Sequence, residues 1–440
     1  MVKEYDMIVV GFGKAGKTLA GKMSALGKKV ALVEEDSSMY GGTCINIGCI
    51  PTKTMIVAAE EDLSFAQVMA QKEAVTSRLR GKNEAVLKGA GVDLYNAKAR
   101  FVANKRLEIT SGEDKEQLSA DIIIINTGAK SNVLPIEGLL ETRHVVDSTG
   151  IQQLKEQPKR LGIIGGGNIG LEFASLYAKL GSQVTVFEAG ERLLPREEPV
   201  VAQMAKTYME EDGITFKMGA RISRLSNEGE EVVLRADDQD YHFDVVMYAT
   251  GRKPNTDDLG LETTDIELND RGAIVVDEYC QTSVKDVYAV GDVNGGLQFT
   301  YTSLDDFRIV YGKLTATGDY NLNKRQNVPT TTFIEPALSS VGLKEADIIK
   351  AGIPYQSKEL LVAAMPRGHV NDDLRGLYKV HVNPETKEIL GATLFAKNSE
   401  ENINMIKMAM DNHIPYTYLK NQIFTHPTMA ENLNDVFAID

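Results

Sequence analysis

Short apolar runs that stop at glycines, each followed by residues at helical spacing, set the rhythm of the chain. Tyr5-Asp6-Met7-Ile8-Val9-Val10 is a strand-length run leading into Gly11-Phe12-Gly13-Lys14-Ala15-Gly16, after which a helical pattern begins. A second strand, Lys29 to Val33, ends in Glu34, 18 residues beyond Gly16. The same order returns at Arg160 to Ile164, Gly165-Gly166-Gly167-Asn168-Ile169-Gly170, a helix through Leu180, and a strand from Gln183 to Glu188, again 18 residues beyond the last glycine. One G-x-G-x-x-G is weak evidence. Two, each between strand and helix with an acid at the same offset, point to two dinucleotide sites rather than two structural turns. Glycines let the backbone approach a pyrophosphate held at the helix N-terminus, and the acid accepts bonds from a ribose diol.

Two further strands end in glycine turns: Ile122 to Ile125 before Asn126-Thr127-Gly128-Ala129, and Val245 to Tyr248 before Ala249-Thr250-Gly251-Arg252. Near Val287 a short strand runs into Gly291-Asp292. The polar stretch Tyr320 to Val328 reads as a linker into a last domain. There the alternating segments Leu377 to Val382 and Leu390 to Phe395 precede the helical Glu400 to Met410, which predicts an α+β unit.

Composition narrows the class. A length of 440 residues suggests about three domains. With 43% hydrophobic and 25% charged residues and no low-complexity tract, the chain reads as globular throughout. A net charge of −14 without a basic run argues against nucleic acid or anionic membrane as partner. No export signal or membrane span is visible, so a cytoplasmic location is expected. Only three cysteines occur, which is no stapling framework for a secreted protein of this size.

Two of the three are Cys44 and Cys49, in Gly41-Gly42-Thr43-Cys44-Ile45-Asn46-Ile47-Gly48-Cys49-Ile50-Pro51-Thr52-Lys53. In a reducing compartment such a pair reads as catalytic or metal-binding. On an ideal helix, residues five apart lie about 8.6 Å apart at Cα, whereas a disulfide tolerates at most about 7 Å. If the two bond, the helix start must be distorted. A structural zinc site wants four ligands, and no second pair or clustered histidine is nearby, so no metal is expected. Chance buried thiols are the competing reading, and Cys280, isolated in a strand-like segment, is read that way.

The two fingerprints, the G-G-T-C-x-N-x-G-C-x-P-[ST]-K segment, the Gly291-Asp292 turn and the tail His426-Pro427-Thr428-Met429-Ala430-Glu431 together resemble the class I flavoprotein (pyridine nucleotide) disulfide oxidoreductases, across nearly the whole chain. That family includes glutathione reductase, dihydrolipoamide dehydrogenase and mercuric reductase. The resemblance implies an α/β homodimer: two Rossmann-like domains, for FAD (1–147 and 255–322) and NAD(P) (148–254), and a C-terminal α+β dimerisation domain (328–440). FAD would be held by Gly11, Gly13, Gly16, Glu34, Gly42, Thr43, Lys53, Ala99, Thr127, Gly128, Asp292 and Thr300. The nicotinamide nucleotide would be held by Gly165, Gly167, Asn168, Ile169, Gly170, Glu188 and Gly251. Lys53, paired with Glu172, would stabilise negative charge developing on reduced flavin. Cys49 would face the flavin and Cys44 the substrate. His426, oriented by Glu431, would arrive from the second subunit. Lowering the pKa of Cys44 from ~8.5 to ~6 would raise its thiolate fraction about 30-fold at neutral pH, but a Brønsted slope of ~0.5 returns some 10 to 20-fold. Protonating the leaving group is therefore the larger role expected of His426.

Departures from the better-known members redirect the substrate. Mercuric reductases end in a vicinal cysteine pair, whereas this chain ends Val436-Phe437-Ala438-Ile439-Asp440. Glutathione reductases carry an arginine where this chain has Gly21. After Asp292 the usual Ala-His step is replaced by Leu297-Gln298-Phe299-Thr300-Tyr301. With Gly11-Phe12-Gly13-Lys14-Ala15-Gly16-Lys17-Thr18, this resembles the bacterial reactive-chlorine-resistance flavoproteins, the hypothiocyanous acid reductases. The implied activity is NAD(P)H-dependent reduction of that small oxidant to thiocyanate through Cys44 and Cys49. Glu188 would repel a 2′-phosphate and so favours NADH, although Arg192 could accommodate one. Asn168 stands where glutathione reductases carry a gating tyrosine. Dihydrolipoamide dehydrogenase, mercuric or other metal-ion reductase, and a flavin-based redox sensor are the alternatives.

Overall fold

Both glycine-turn segments fold as the apolar pattern predicts, and they fold alike. The computed structural model describes residues 2–439. Contacts divide the chain into two units, Met1–Val133 with Asp147–Glu156 and Thr250–Lys324, and Leu134–Val146 with Gln157–Ala249 and Arg325–Asp440.

In the first unit the strand Val2–Val10 lies between Val30–Glu34 and Asp114–Ile125, parallel to both, with Asp93–Asn96 outside Val30–Glu34. Val287–Ala289 adds a parallel strand beside Ile123–Ile125. The other half of the long strand pairs antiparallel with Arg106–Ser111, which pairs with Lys98–Ala103. Met7–Val10, Ala31–Val33 and Ile123–Ile125 are buried as unbroken apolar runs, as parallel strands covered on both faces must be.

In the second unit the order is Thr215–Met218, Gln183–Glu188, Arg160–Ile164, Val245–Tyr248 and Val145–Val146, all parallel. The glycine-turn strand again has its following strand on one side and a later strand on the other. A three-stranded antiparallel sheet, Ile222–Glu228, Glu231–Ala236 and Gln239–Phe243, packs Leu225, Leu234 and Phe243 against Ile164 and Val246.

The C-terminal part of this unit is a five-stranded antiparallel sheet ordered Thr330–Thr332, Leu338–Gly342, Ile389–Phe395, Leu377–Val382 and Gln356–Leu361, against which the helix Ser399–Asp411 packs. The α+β expectation holds, with one correction. Leu377–Val382 alternates apolar and polar in sequence, yet every residue is buried. The strand is central, and Lys379 and His381 stay inside because carboxylates meet them: Glu345 lies 2.9 Å from Lys379 Nζ and Glu198 lies 2.9 Å from His381 Nε2.

Candidate active site

The first fingerprint is a tight cradle. Gly13 is the N-cap of the helix Lys14–Ala25, whose first turn carries no acidic residue; the Ala15 N–H donates to Ser303 Oγ at 3.2 Å, so no charge opposes an anion at this helix start. A Cβ at Gly13 would come within 2.4 Å of Asn126 Oδ1, so only glycine allows the close approach. Asn126 braces the loop: it accepts from the Gly16 N–H at 2.8 Å and donates to the Val290 carbonyl at 2.7 Å. Glu34, at the end of its strand, accepts from the N–H of Phe12 at 3.0 Å and of Asp36 at 3.3 Å. Burial raises its pKa above the ordinary carboxylate value, against those backbone bonds.

The second fingerprint repeats this atom for atom in its key bonds. Gly167 caps the helix Asn168–Lys179, again without an acidic first turn, and Ile169 and Gly170 lie within that turn. Glu188 accepts from the N–H of Gly166 and of Gly190, both at 2.7 Å, the positions equivalent to Phe12 and Asp36. Gly165 donates to Phe187 as Gly11 does to Val33, each at 2.8 Å. Arg192 donates to the Pro195 carbonyl at 2.6 Å.

The cysteine segment is broken between Cys44 and Cys49. A short helix, Thr43–Asn46, ends before Ile47, and a second, Cys49–Glu60, starts after Gly48. A Cβ at Gly48 would lie 3.0 Å from the Thr43 carbonyl oxygen and 3.4 Å from Cys44 Cα. Asn46 ties the short helix to its entry loop, donating to the carbonyls of Tyr40 and Gly42, and accepts from Arg80 on the helix Phe65–Gly89. The buried Gln152 donates to the Ile47 carbonyl at 2.9 Å.

Across this break Cys44 and Cys49, both reduced, share a hydrogen bond. Cys49 Sγ also lies 3.4 Å from Thr300 Oγ1 at the start of the helix Thr300–Thr315. In the single chain the Cys44 thiol is raised well above the ordinary value, by the bond to Cys49 first and burial second, while Thr300 and the Lys17 ammonium act the other way. Tyr301, stacked on Phe299 with centroids 4.9 Å apart, lies within electrostatic reach of Cys49.

The other sequence-predicted residues are placed as follows. Gly42 opens the short helix as its N-cap, Thr43 is its first residue, and Lys53 follows Cys49 by one turn. Ala99 is buried on its strand, and Thr127 donates to the Asn255 carbonyl just before Gly128. Asp292 begins a turn held by the buried Asp306, which accepts from the Gly291 N–H at 2.7 Å; burial raises the pKa of Asp292. Gly251 falls in the first unit. Glu172 is buried on the second fingerprint helix and accepts from the Phe333 N–H at 3.1 Å. His426 Nδ1 lies 2.8 Å from Glu431 Oε2, and the ring is 69% exposed. Since a carboxylate only accepts, Nδ1 carries the hydrogen and Nε2 faces outward. Cys280 is a fully buried core residue.

Residues 5–306 match the family model for pyridine nucleotide-disulphide oxidoreductase, and 328–437 match that family's dimerisation domain. The chain belongs to the pyridine nucleotide-disulphide oxidoreductases. Over the full length of both chains it is 43% identical to the probable pyridine nucleotide-disulfide oxidoreductase RclA of Escherichia coli. A solved structure, the Cu(II) complex of HOCl-induced flavoprotein disulfide reductase RclA from Escherichia coli, matches with a TM-score of 0.97 over 99% of each chain. A Staphylococcus aureus mercuric reductase is 30% identical, covering 98% of this chain and 81% of that protein.

As a pyridine nucleotide-disulphide oxidoreductase, the protein is an FAD- and NAD(P)H-using enzyme. The fingerprints fit those cofactors: two helix starts without an acidic first turn lie beside close-approach glycines, each with an acid at the end of the next strand. Among the described residues no three His, Cys, Asp or Glu side chains group as a metal site, and no helix is long and apolar enough to cross a membrane. Sequence reading passed over Asn126, Asp306 and Asn46. Asn126 and Asp306 carried the weakest signal, since each acts on a loop over 100 or about 15 residues away in sequence.

Proposed function

We propose that the chain is an NAD(P)H-dependent disulfide reductase that reduces hypothiocyanous acid to thiocyanate through Cys44 and Cys49. The observation that carries the reading is the thiol pair joined across the break at Ile47-Gly48, with Cys49 tied to the helix start at Thr300. The Cys44 thiolate attacks the sulfur of hypothiocyanous acid, and the S–O bond breaks as His426 of a second subunit protonates the departing hydroxide to water. Cys49 then attacks the Cys44 sulfur, forming the disulfide and releasing thiocyanate. FAD and the nicotinamide nucleotide supply the two electrons that return the disulfide to dithiol. Support for a small oxidant comes from the similarity to a protein described as HOCl-induced and from Gly21.

The residue roles belong to the same proposal. Gly11, Gly13, Gly16, Glu34 and Asp292 hold FAD, while Gly165, Gly167, Gly170 and Glu188 hold the nicotinamide nucleotide. Lys53 and Glu172 act as a charge pair at the flavin. The domains are 1–147 with 255–322, 148–254, and 328–440, the last forming a homodimer, in the cytoplasm. NADH is the proposed donor: an acid at the end of the second fingerprint strand, as Glu188 is, pairs with a ribose diol and repels a 2′-phosphate, and Arg192 donates to the Pro195 carbonyl.

The test is anaerobic NADH oxidation by purified enzyme with and without hypothiocyanous acid, alongside lipoamide. Turnover with hypothiocyanous acid that Cys44→Ser abolishes is expected. No acceleration over the blank, or a preference for lipoamide, would sink the reading.

A further inference from the structure

Lys17 stands one turn into the first fingerprint helix, and none of the roles above uses it. Its ammonium donates to the Gly41 carbonyl at 3.0 Å, the residue that opens the loop into the Cys44 helix. That loop is fixed from two sides. Gly42 lies so close to the fingerprint that a Cβ there would meet Gly13 Cα at 2.9 Å, and Asn46 ties the loop carbonyls to the short helix. The ammonium is therefore held at a set place beside the substrate-facing thiol, within electrostatic reach of its sulfur. No carboxylate is among the groups that act on it: burial, then the Lys14 charge, lower its pKa to about 8, and the Cys44 thiolate alone opposes them. A sheltered cation with no carboxylate acting on it, within electrostatic reach of a nucleophilic sulfur, is suited to a small anion.

We propose that Lys17 is the anion-recognition residue of the Cys44 site, holding a small pseudohalide anion against the Cys44 sulfur. This deepens the proposed function and rests on it. In the second displacement the bond between the Cys44 sulfur and the thiocyanate sulfur breaks, the electron pair leaves on thiocyanate, and Cys49 takes its place. Lys17 meets the negative charge that appears on the departing group. With a pKa of about 8 it is still mostly charged at neutral pH.

Alkylation tests this without reference to turnover. Holoenzyme reduced anaerobically with NADH is treated at pH 7 with iodoacetate, an anion, or iodoacetamide, its neutral counterpart, and Cys44 labelling is read by peptide mass spectrometry. The rate ratio of the two reagents reports local charge and cancels changes in thiolate fraction. Lys17→Met is expected to lower that ratio about tenfold and Lys17→Arg to keep it, with FAD content unchanged in both. An unchanged ratio in Lys17→Met overturns the proposal. So does loss of FAD with an unchanged ratio, which would assign the charge to the cofactor. Should the variants fail to fold, thiocyanate is added to wild-type enzyme. It should slow iodoacetate labelling of Cys44 more than an equal concentration of chloride, and equal effects would also overturn the assignment. Because labelling needs no oxidant turnover, a normal ratio effect with no hypothiocyanous acid activity would leave Lys17 in place and reject only the substrate.

Discussion

Replacing Glu198 with glutamine should lower stability at neutral pH and leave little difference near pH 2. The carboxylate is 2% exposed and receives the His381 Nε2–H at 2.9 Å and the Glu345 N–H at 2.9 Å, with Lys379 Nζ at 3.7 Å. Burial alone would raise its pKa. The His381 bond, the Glu345 N–H and the Lys379 charge outweigh burial and bring it from 4.5 to about 2. A shift of that size corresponds to roughly 3 kcal/mol. Sharing of the charge with Glu345 and Glu359 around Lys379, and residual solvent screening, reduce the expected loss to about 1–3 kcal/mol. The folded pKa lies below the unfolded one, so this stability is fully present above about pH 4.5 and is lost as pH falls toward 2. Glutamine can still accept from Glu345 and His381, so the variant isolates the charge. The assay is thermal unfolding of both proteins at matched scan rate from pH 7 to pH 2.5, where about 1 kcal/mol corresponds to roughly 2–4 °C. A difference that stayed constant across that range would mean that the change acts through packing and would refute the electrostatic argument.

Gly48→Ala should slow disulfide formation about 3- to 10-fold while leaving Cys44 alkylation by iodoacetamide near normal, because a Cβ 3.0 Å from the Thr43 oxygen displaces one thiol from the other; stopped-flow oxidation of the reduced enzyme checks this. Asn126→Ala leaves the buried Gly16 N–H and Val290 carbonyl without their partner, and should cost about 2–4 kcal/mol and speed FAD release, read by unfolding and by flavin fluorescence. His426→Ala should reduce kcat by about 10² or more. Co-expressed Cys44→Ser and His426→Ala subunits should form mixed dimers with one intact site in two, so the purified heterodimer regains about half of wild-type activity if His426 serves the other chain; a heterodimer as inactive as either parent would refute that.

What the sequence shows well are features that repeat or that chemistry restricts. The two fingerprints were legible because the same residue types recur at the same offsets, and the structure gives Glu34 and Glu188 the same pair of backbone donors. That a disulfide between Cys44 and Cys49 would need a distorted helix start was legible as geometry; that the break falls at Ile47-Gly48 was not. Nor were buried polar contacts. Lys379 and His381 occupy the polar positions of the alternating segment Leu377 to Val382, and nothing local shows that Glu198, some 180 residues earlier, meets His381. Asn126 looked like part of a glycine turn, although it packs against Gly13 and Gly16. In each case the deciding partner is distant in sequence, and a single sequence carries no record of pairing at that range.

The pKa of Cys44 links the fold to the proposed dimer. Within one chain the sulfur is held as a thiol by Cys49 and by burial, and Lys17 offsets this only in part. In the proposed reaction the thiol must give up its proton before it attacks, which calls for a base. His426 has the form of such a base: Glu431 fixes its Nδ1, while the ring stands 69% exposed with Nε2 directed outward. An imidazole oriented by Glu431 and exposed to this degree would gain a purpose if a second copy brought a thiol to it. In the proposed dimer, His426 of the second subunit would take the Cys44 proton and return it to the departing hydroxide, so that one imidazole serves both halves of the first displacement.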